Sequence, residues 1–253
     1  MHTEHTMGIS KLRIHIAPVG YEIDRIVLSA VQSKADRVWL LMHDKPNEDK
    51  AIPFALKIEE QLKKNRIQVK KEIHNRHDLF EIIRVIKEIS IKESGNQIYL
   101  NLASGSKIQA VGLMMSAMMF HDPEKNLDIH PFYAEAENWE GFSLKKPLTT
   151  GVKSMYEIQS YKIKIPEPEL VGALKIISKG RITKKKMAEI AEKEGLITVN
   201  AQEENHSQAR FASLDKNIIT KLDKKWNLIK VEKLGRNYYL ELNENGKNAI
   251  KFL

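Results

Sequence analysis

Between Leu12 and Glu137 the chain changes its hydrophobic period repeatedly, short runs rich in Val, Ile and Leu giving way to stretches whose apolar residues recur every three or four positions. A period of two suits a strand and a period of 3.6 suits a helix, so this alternation restricts the possible folds more than composition does. Residues 12–18, 37–42, 67–73, 97–102 and 127–133 read as strands, and the polar alternation of 67–73 marks it as an edge or half-buried one. Between them, Ile23, Ile26, Val27, Ala30 and Val31 share a helix face, as do Phe54, Leu56, Ile58 and Leu62 within 51–66, and Leu79, Ile82, Ile83, Ile86 and Ile89. A further helix is expected over 106–120. Strand following helix in this order predicts an α/β domain with a Rossmann-like, doubly wound, mostly parallel sheet.

Residues 138–166 show no clear period and are expected to add strands or a connecting segment. Pro166 and Pro168 then interrupt the chain, because proline cannot donate to a ladder and disfavours helix before it. The boundary placed there divides a domain over 10–165 from one over 166–253. In the second, helices are expected over 169–178, closed by Lys179-Gly180, and from the Thr183 cap through Ala191 to Gly195. A third lies within 207–226, after a segment, 196–206, longer than the usual turn. On it Phe211, Leu214, Ile218 and Leu222 fall within about 80° of one another at about 100° per residue. Arg210, Ser213, Lys216, Asn217 and Thr220 face the other way, which predicts one packed and one free face. Strands at 228–233 and 238–242 flank a turn carrying Arg236. Three helices and a basic hairpin predict a winged helix-turn-helix domain.

Cysteine is absent, which removes disulfides and thiolate sites and fits a cytoplasmic protein. The start, residues 1–8, is too polar for a signal peptide, and no apolar run is long enough for a membrane span. The 41 Lys+Arg against 33 Asp+Glu leave a net charge of +8. Residues 167–253 hold 17 basic and 12 acidic groups, against 24 and 21 in the longer remainder, so a polyanionic partner is expected at the C-terminal domain.

In open α/β sheets ligands bind beyond the carboxyl ends of the strands. Two loops there have suitable composition. Pro18-Val19-Gly20-Tyr21 follows the first strand, with a glycine for close backbone approach and a tyrosine able to stack on a base. Asn101-Leu102-Ala103-Ser104-Gly105-Ser106-Lys107 follows the fourth and enters a helix, where free N–H groups, the helix dipole and an ammonium suit a phosphate. Neither loop has the glycine spacing of a P-loop or of a dinucleotide fingerprint, so ATP and NAD chemistry lose ground. Four of the nine methionines fall on the next helix, which is apolar nearly all round and so is either central or a subunit interface. The histidines show no metal-ligand spacing, and His74 and His77 read as solvated loop residues.

These two loops, on a Rossmann-like domain joined to a winged helix, resemble the archaeal CARF (CRISPR-associated Rossmann fold) and winged helix-turn-helix transcriptional regulators. The resemblance runs over 10–253, although the family often has Gly-Gly-Thr-Lys where this chain has Ser-Gly-Ser-Lys. It implies a cytoplasmic homodimer that binds a cyclic oligoadenylate, most often the four-membered ring, across its two-fold axis, with no cofactor or metal. Gly20 and Tyr21 would line the base and ribose side and Asn101, Ser104, Gly105, Ser106 and Lys107 would hold phosphates, with Pro18, Val19 and Ala103 also among the ligand-binding residues. Double-stranded DNA would meet Arg210, Ser213, Lys216, Asn217, Thr220 and Lys221 through its bases or phosphates, with Arg236 reaching the adjacent backbone or minor groove. Two alternatives remain: a slow, metal-independent ring nuclease using Ser106 and Lys107, and a regulator sensing another phosphorylated metabolite.

Overall fold

A computed structural model of the chain describes residues 10–253; the polar start read above, residues 1–8, lies outside them. The chain divides into two compact units, the first ending at Ile163 and the second beginning at Lys164.

The first unit alternates β1 (Arg13–Pro18), α1 (Asp24–Gln32), β2 (Arg37–His43), α2 (Ile52–Lys64), β3 (Gln68–His74), α3 (Leu79–Lys92), β4 (Gln97–Asn101), α4 (Lys107–Phe120) and β5 (Asp128–Glu135). The sheet order is β3-β2-β1-β4-β5, all parallel, followed at the far edge by the strand Ser154–Glu157 (β8), antiparallel to β5. Strand order therefore reverses between β1 and β4. The polar alternation of β3 is explained by its place at the other edge.

Helices cover both faces. Ile26, Val27 and Ala30 of α1 and Phe54, Ile58 and Leu62 of α2 bury against Ala17, Val38 and Leu40. The alternate side chains of β2 point the other way, where Glu93 at the end of α3 accepts the Trp39 indole N–H at 2.8 Å and ion-pairs with Arg37 at 2.6 Å. α4 packs on α3 across Gly112, where a Cβ would come within 2.6 Å of Ile82 Cγ2. One side of α4 is buried, including Leu113, Ser116 and Ala117, while Ile108, Met114, Met115 and Met118 are half-buried and Val111 is 47% exposed. The unpatterned stretch after β5 becomes a hairpin of β6 (Asn138–Trp139) and β7 (Thr149–Thr150), followed by β8.

The second unit contains α5 (Pro168–Ile177), β9 (Ile182–Thr183), α6 (Lys184–Lys193), α7 (His206–Leu214), β10 (Ile229–Leu234), β11 (Asn237–Leu242) and α8 (Glu244–Ala249). Its sheet order is β10-β11-β9, all antiparallel. Pro168 occupies the first turn of α5, where a missing N–H costs nothing, and Thr183 Oγ1 caps α6 by accepting Lys186 N–H at 3.2 Å. The third helix continues past α7 through π-helical windings at Asp215–Ile219 and Lys221–Lys225. Leu214, Ile218 and Leu222 are fully buried with Leu174, Met187 and Leu240, as the helical spacing predicts. At the wing tip Gly235 takes φ +59°, which a two-residue hairpin turn requires and glycine allows without strain. The short strand β9 and the closing helix α8 left no signal in the hydrophobic pattern.

Candidate functional site

The loops after β1 and β4 meet where strand order reverses. A Cβ on Gly20 would lie 2.9 Å from the Gly105 amide nitrogen and 3.1 Å from its Cα, so the two loops touch backbone to backbone. Gly105 has φ +78°, and a Cβ there would overlap that of Pro18. Both positions therefore need glycine. The Ser104 hydroxyl donates to the Pro18 carbonyl at 2.8 Å, and Val19 N–H donates to Leu41 O at 3.1 Å. Asn101, 1% exposed, donates from Nδ2 to Arg25 O at 2.8 Å and accepts Ala103 N–H at 2.9 Å.

These bonds sort the residues expected at the site. Pro18, Val19, Asn101, Ala103 and Ser104 are buried and build the loops. Gly20, Tyr21, Gly105 and Ser106 are half-buried, and Lys107 is exposed, so these form the surface a ligand could touch. The Tyr21 ring stands edge-on to Phe54 at 5.5 Å and to Phe142 at 5.4 Å.

At the start of α4, Ser106 and Gln109 form a capping box. Ser106 N–H and its hydroxyl both donate to Gln109 Oε1, at 2.9 and 3.0 Å, and Gln109 N–H donates to Ser106 Oγ at 3.3 Å. The Ser106 proton is thus engaged within the chain. Gln109 Nε2 lies 3.2 Å from His74 Nε2. His74 is not the solvated loop residue its sequence position predicts: it ends β3 at 1% exposure. Burial holds its pKa below the ordinary value, the charge of Glu81 opposing this, so its ring accepts from Gln109. The helix dipole and the Lys107 ammonium favour an anion at this end of α4.

A second charged pair lies beside the first loop. Arg25, 3% exposed, donates from Nε to Ala134 O at 2.8 Å and pairs with Glu22 at 3.2 Å. Burial raises the Glu22 pKa, opposed by the Arg25 charge. Sequence reasoning missed both Gln109 and this pair. The spacing of Glu22 and Arg25 at the start of a helix was the available signal; nothing local marks His74 and Gln109 as partners.

In the winged domain the second face of the third helix is only partly free, because the long segment before it folds back and takes hydrogen bonds. Ser213 Oγ donates to Thr198 O at 3.0 Å, Asn217 Nδ2 donates to Ser213 Oγ at 3.1 Å, and Arg210 pairs with Glu192 of α6 at 2.7 Å. Lys216, Thr220 and the wing-tip Arg236 are exposed, and Lys221 is half-buried. Sequence reasoning also missed the basic start of α6: Lys179, Arg181, Lys185 and Lys186 are exposed, while Lys184 pairs with Asp215 at 2.6 Å. Among the described residues no group of three or more His, Asp or Glu side chains is placed to hold a metal, and no helix is long and apolar enough to cross a membrane.

The uncharacterized protein MJ1513 of Methanocaldococcus jannaschii is 28% identical to this chain over 199 residues, which cover 69% of the chain and 59% of that protein. The chain thus spans about three fifths of that relative's length. Csm6 of Enterococcus italicus, solved bound to cyclic hexa-2'-fluoro-hexa-dAMP, aligns with TM-score 0.45 at 12% identity over 74% of this chain and 49% of that one. Can2 from Sulfobacillus thermosulfidooxidans, solved with cyclic tetra-adenylate, aligns with TM-score 0.39 at 13% identity over 94% and 63%. Residues 169–253 match the DUF6293 C-terminal winged helix domain. Because residues 13–139, half of the chain, match the N-terminal family described as HFX_2341_N-like, the chain belongs to that family, with a DUF6293 winged helix following its Rossmann-like domain.

Proposed function

We propose that this chain is a homodimeric transcriptional regulator that binds a cyclic oligoadenylate, with cyclic tetra-adenylate the first choice, in its N-terminal domain and double-stranded DNA through its winged helix. The observation that carries this reading is the backbone contact between Gly20 and Gly105 at the reversal point, beside the start of α4 and the exposed Lys107. That contact fixes the two loops against each other, and the adjoining start of α4 offers an anionic ligand a helix dipole and an ammonium together. The residues that resemble the CARF loops are those same residues.

The half-exposed apolar side of α4, with Ile108, Val111, Met114, Met115 and Met118, supports a subunit interface, because an apolar stripe of that kind is ordinarily covered. A two-fold ring would then present one half-site to each subunit. Light scattering should report a dimer, and a monomer at tens of micromolar would remove this part of the reading. Calorimetric titration of the full chain with cyclic tri-, tetra- and hexa-adenylate tests the ligand, and fluorescence anisotropy on the chain's own promoter, with and without ligand, tests the DNA partner. Absence of DNA binding at low salt in both conditions would return the C-terminal domain to a protein-interaction role. Binding of a different phosphorylated metabolite, with no ring bound, would favour the other regulator. The bonds that engage Ser106 speak against the nuclease alternative, so mass spectrometry after incubation should recover the ring intact.

A further inference from the structure

The β6–β7 hairpin carries two large aromatic side chains that remain largely in solvent, Trp139 at 65% and Phe142 at 69% exposure. Phe142 stands against Tyr21 of the loop that follows β1, and Trp139 against Arg25 of the helix that follows it. The foot of the hairpin is tied there: Leu148 N–H donates to Tyr21 O at 2.9 Å, Gly151 N–H donates to Asp24 Oδ2 at 2.8 Å, and Thr149 is fully buried. Across its strands Glu140 N–H donates to Leu148 O at 2.9 Å, and the Thr150 hydroxyl donates to Glu140 Oε1 at 2.9 Å. It is therefore a braced strap.

The rings are braced as well. Phe142 meets the edge of Tyr21 at 5.4 Å, and Tyr21 rests in turn on Phe54. Trp139 has the Arg25 guanidinium 5.8 Å from its ring centre, and the same guanidinium lies 4.8 Å from the Tyr133 ring. Arg25 is buried and cannot swing away, being held by Ala134 O and Glu22. Much of the Trp139 and Phe142 ring surface is left to solvent, and braced flat surfaces of this kind stack well because little motion is lost on contact.

The inference rests on the reading of the two loops as a cyclic oligoadenylate site. If the start of α4 and Lys107 take phosphates, the bases of the ring need π surfaces nearby. Tyr21, the aromatic side chain within the loops themselves, is half-buried between two other rings. We propose that Trp139 and Phe142 form a base-stacking clamp, on which adenine rings of the bound ligand lie while the loops hold its phosphates.

The test compares the full chain with Trp139→Ala, Phe142→Ala and Trp139→Tyr by calorimetric titration with cyclic tri-, tetra- and hexa-adenylate. Both residues are exposed, so thermal unfolding should be unchanged and serves as the folding control. Stacking predicts an affinity loss of roughly ten- to a hundredfold for Trp139→Ala, a smaller loss for Phe142→Ala, and substantial recovery in Trp139→Tyr. Trp139 fluorescence should also be quenched on binding, through a signal missing in Trp139→Ala. If the unsubstituted chain binds a ring and both alanine variants bind within twofold of it, the clamp is wrong while the loop reading stands. If the unsubstituted chain binds none of the rings, the loop reading fails and the clamp falls with it.

Discussion

The two candidate sites of this molecule are built in opposite ways. In the N-terminal unit the loops are shaped by buried residues: Asn101 and Ser104 spend their hydrogen bonds on the loop backbone, and Gly20 and Gly105 touch main chain to main chain. In the winged domain the groups that a DNA partner would meet, Lys216, Thr220 and Arg236, are exposed. A surface of solvated cations tolerates substitution and acts through charge. A surface shaped by backbone contact depends on geometry and fails when a single methyl is added. Substitutions of the residues that shape the two loops should therefore change stability, and substitutions of the exposed cations of the winged domain should change salt dependence.

The sharpest way to break that contrast is Gly105→Ala. Its φ of +78° and the overlap with Pro18 predict a loss of about 4 kcal/mol in the N-terminal unit, combining backbone strain with overpacking. Denaturant unfolding measures it, and a loss under about 0.5 kcal/mol would mean that the loops are not locked.

The second test uses pH. His15 on β1 is buried against Tyr99 and Phe132, with Ser33 Oγ at 2.8 Å from Nε2, and burial pushes its pKa down to about 4. The unfolded chain takes up this proton near the ordinary value and the folded one only near 4, so the stability is fully present above about 6.5 and is lost as pH falls toward 4. The swing is about 3 kcal/mol from this group, and His15→Phe should remove it from the N-terminal transition. An unchanged pH profile in that variant would show that His15 is not held neutral.

Lys107→Ala should leave unfolding within about 0.5 kcal/mol, since the side chain is exposed, and weaken oligoadenylate binding by about 1.5 to 3 kcal/mol. An unaltered calorimetric affinity would take Lys107 out of the site. In the winged domain the stability effects are smaller than at Gly105 or His15. Asn217→Ala breaks the chain from Asn217 through Ser213 to Thr198 O and should cost about 1 kcal/mol of stability. If it instead leaves stability intact and lowers only the preference for the operator, Asn217 reads a base. Lys216→Ala and Arg236→Ala should each leave stability unchanged and lower the salt slope of DNA binding by about one unit.

The amino-acid order alone determined the alternation of strands and helices, the winged hairpin, the packed stripe of Leu214, Ile218 and Leu222, and the position of two glycine-bearing loops at strand ends. Those are properties of period and of local backbone freedom, which a few neighbouring residues set by themselves. Only the tertiary structure decided which polar residues face inward. Asn101 reads in sequence as a phosphate ligand, yet its amide is spent on Arg25, 76 residues away. His74 reads as a loop residue, yet it meets Gln109 from 35 residues away. Ser213 loses its free face to Thr198 on the segment that precedes its helix. Trp139 stands beside Arg25 because a hairpin without any period folds back onto α1. Hydrogen bonds and burial are set by surfaces that meet across long separations, and hydrophobic period carries no record of which surfaces those are.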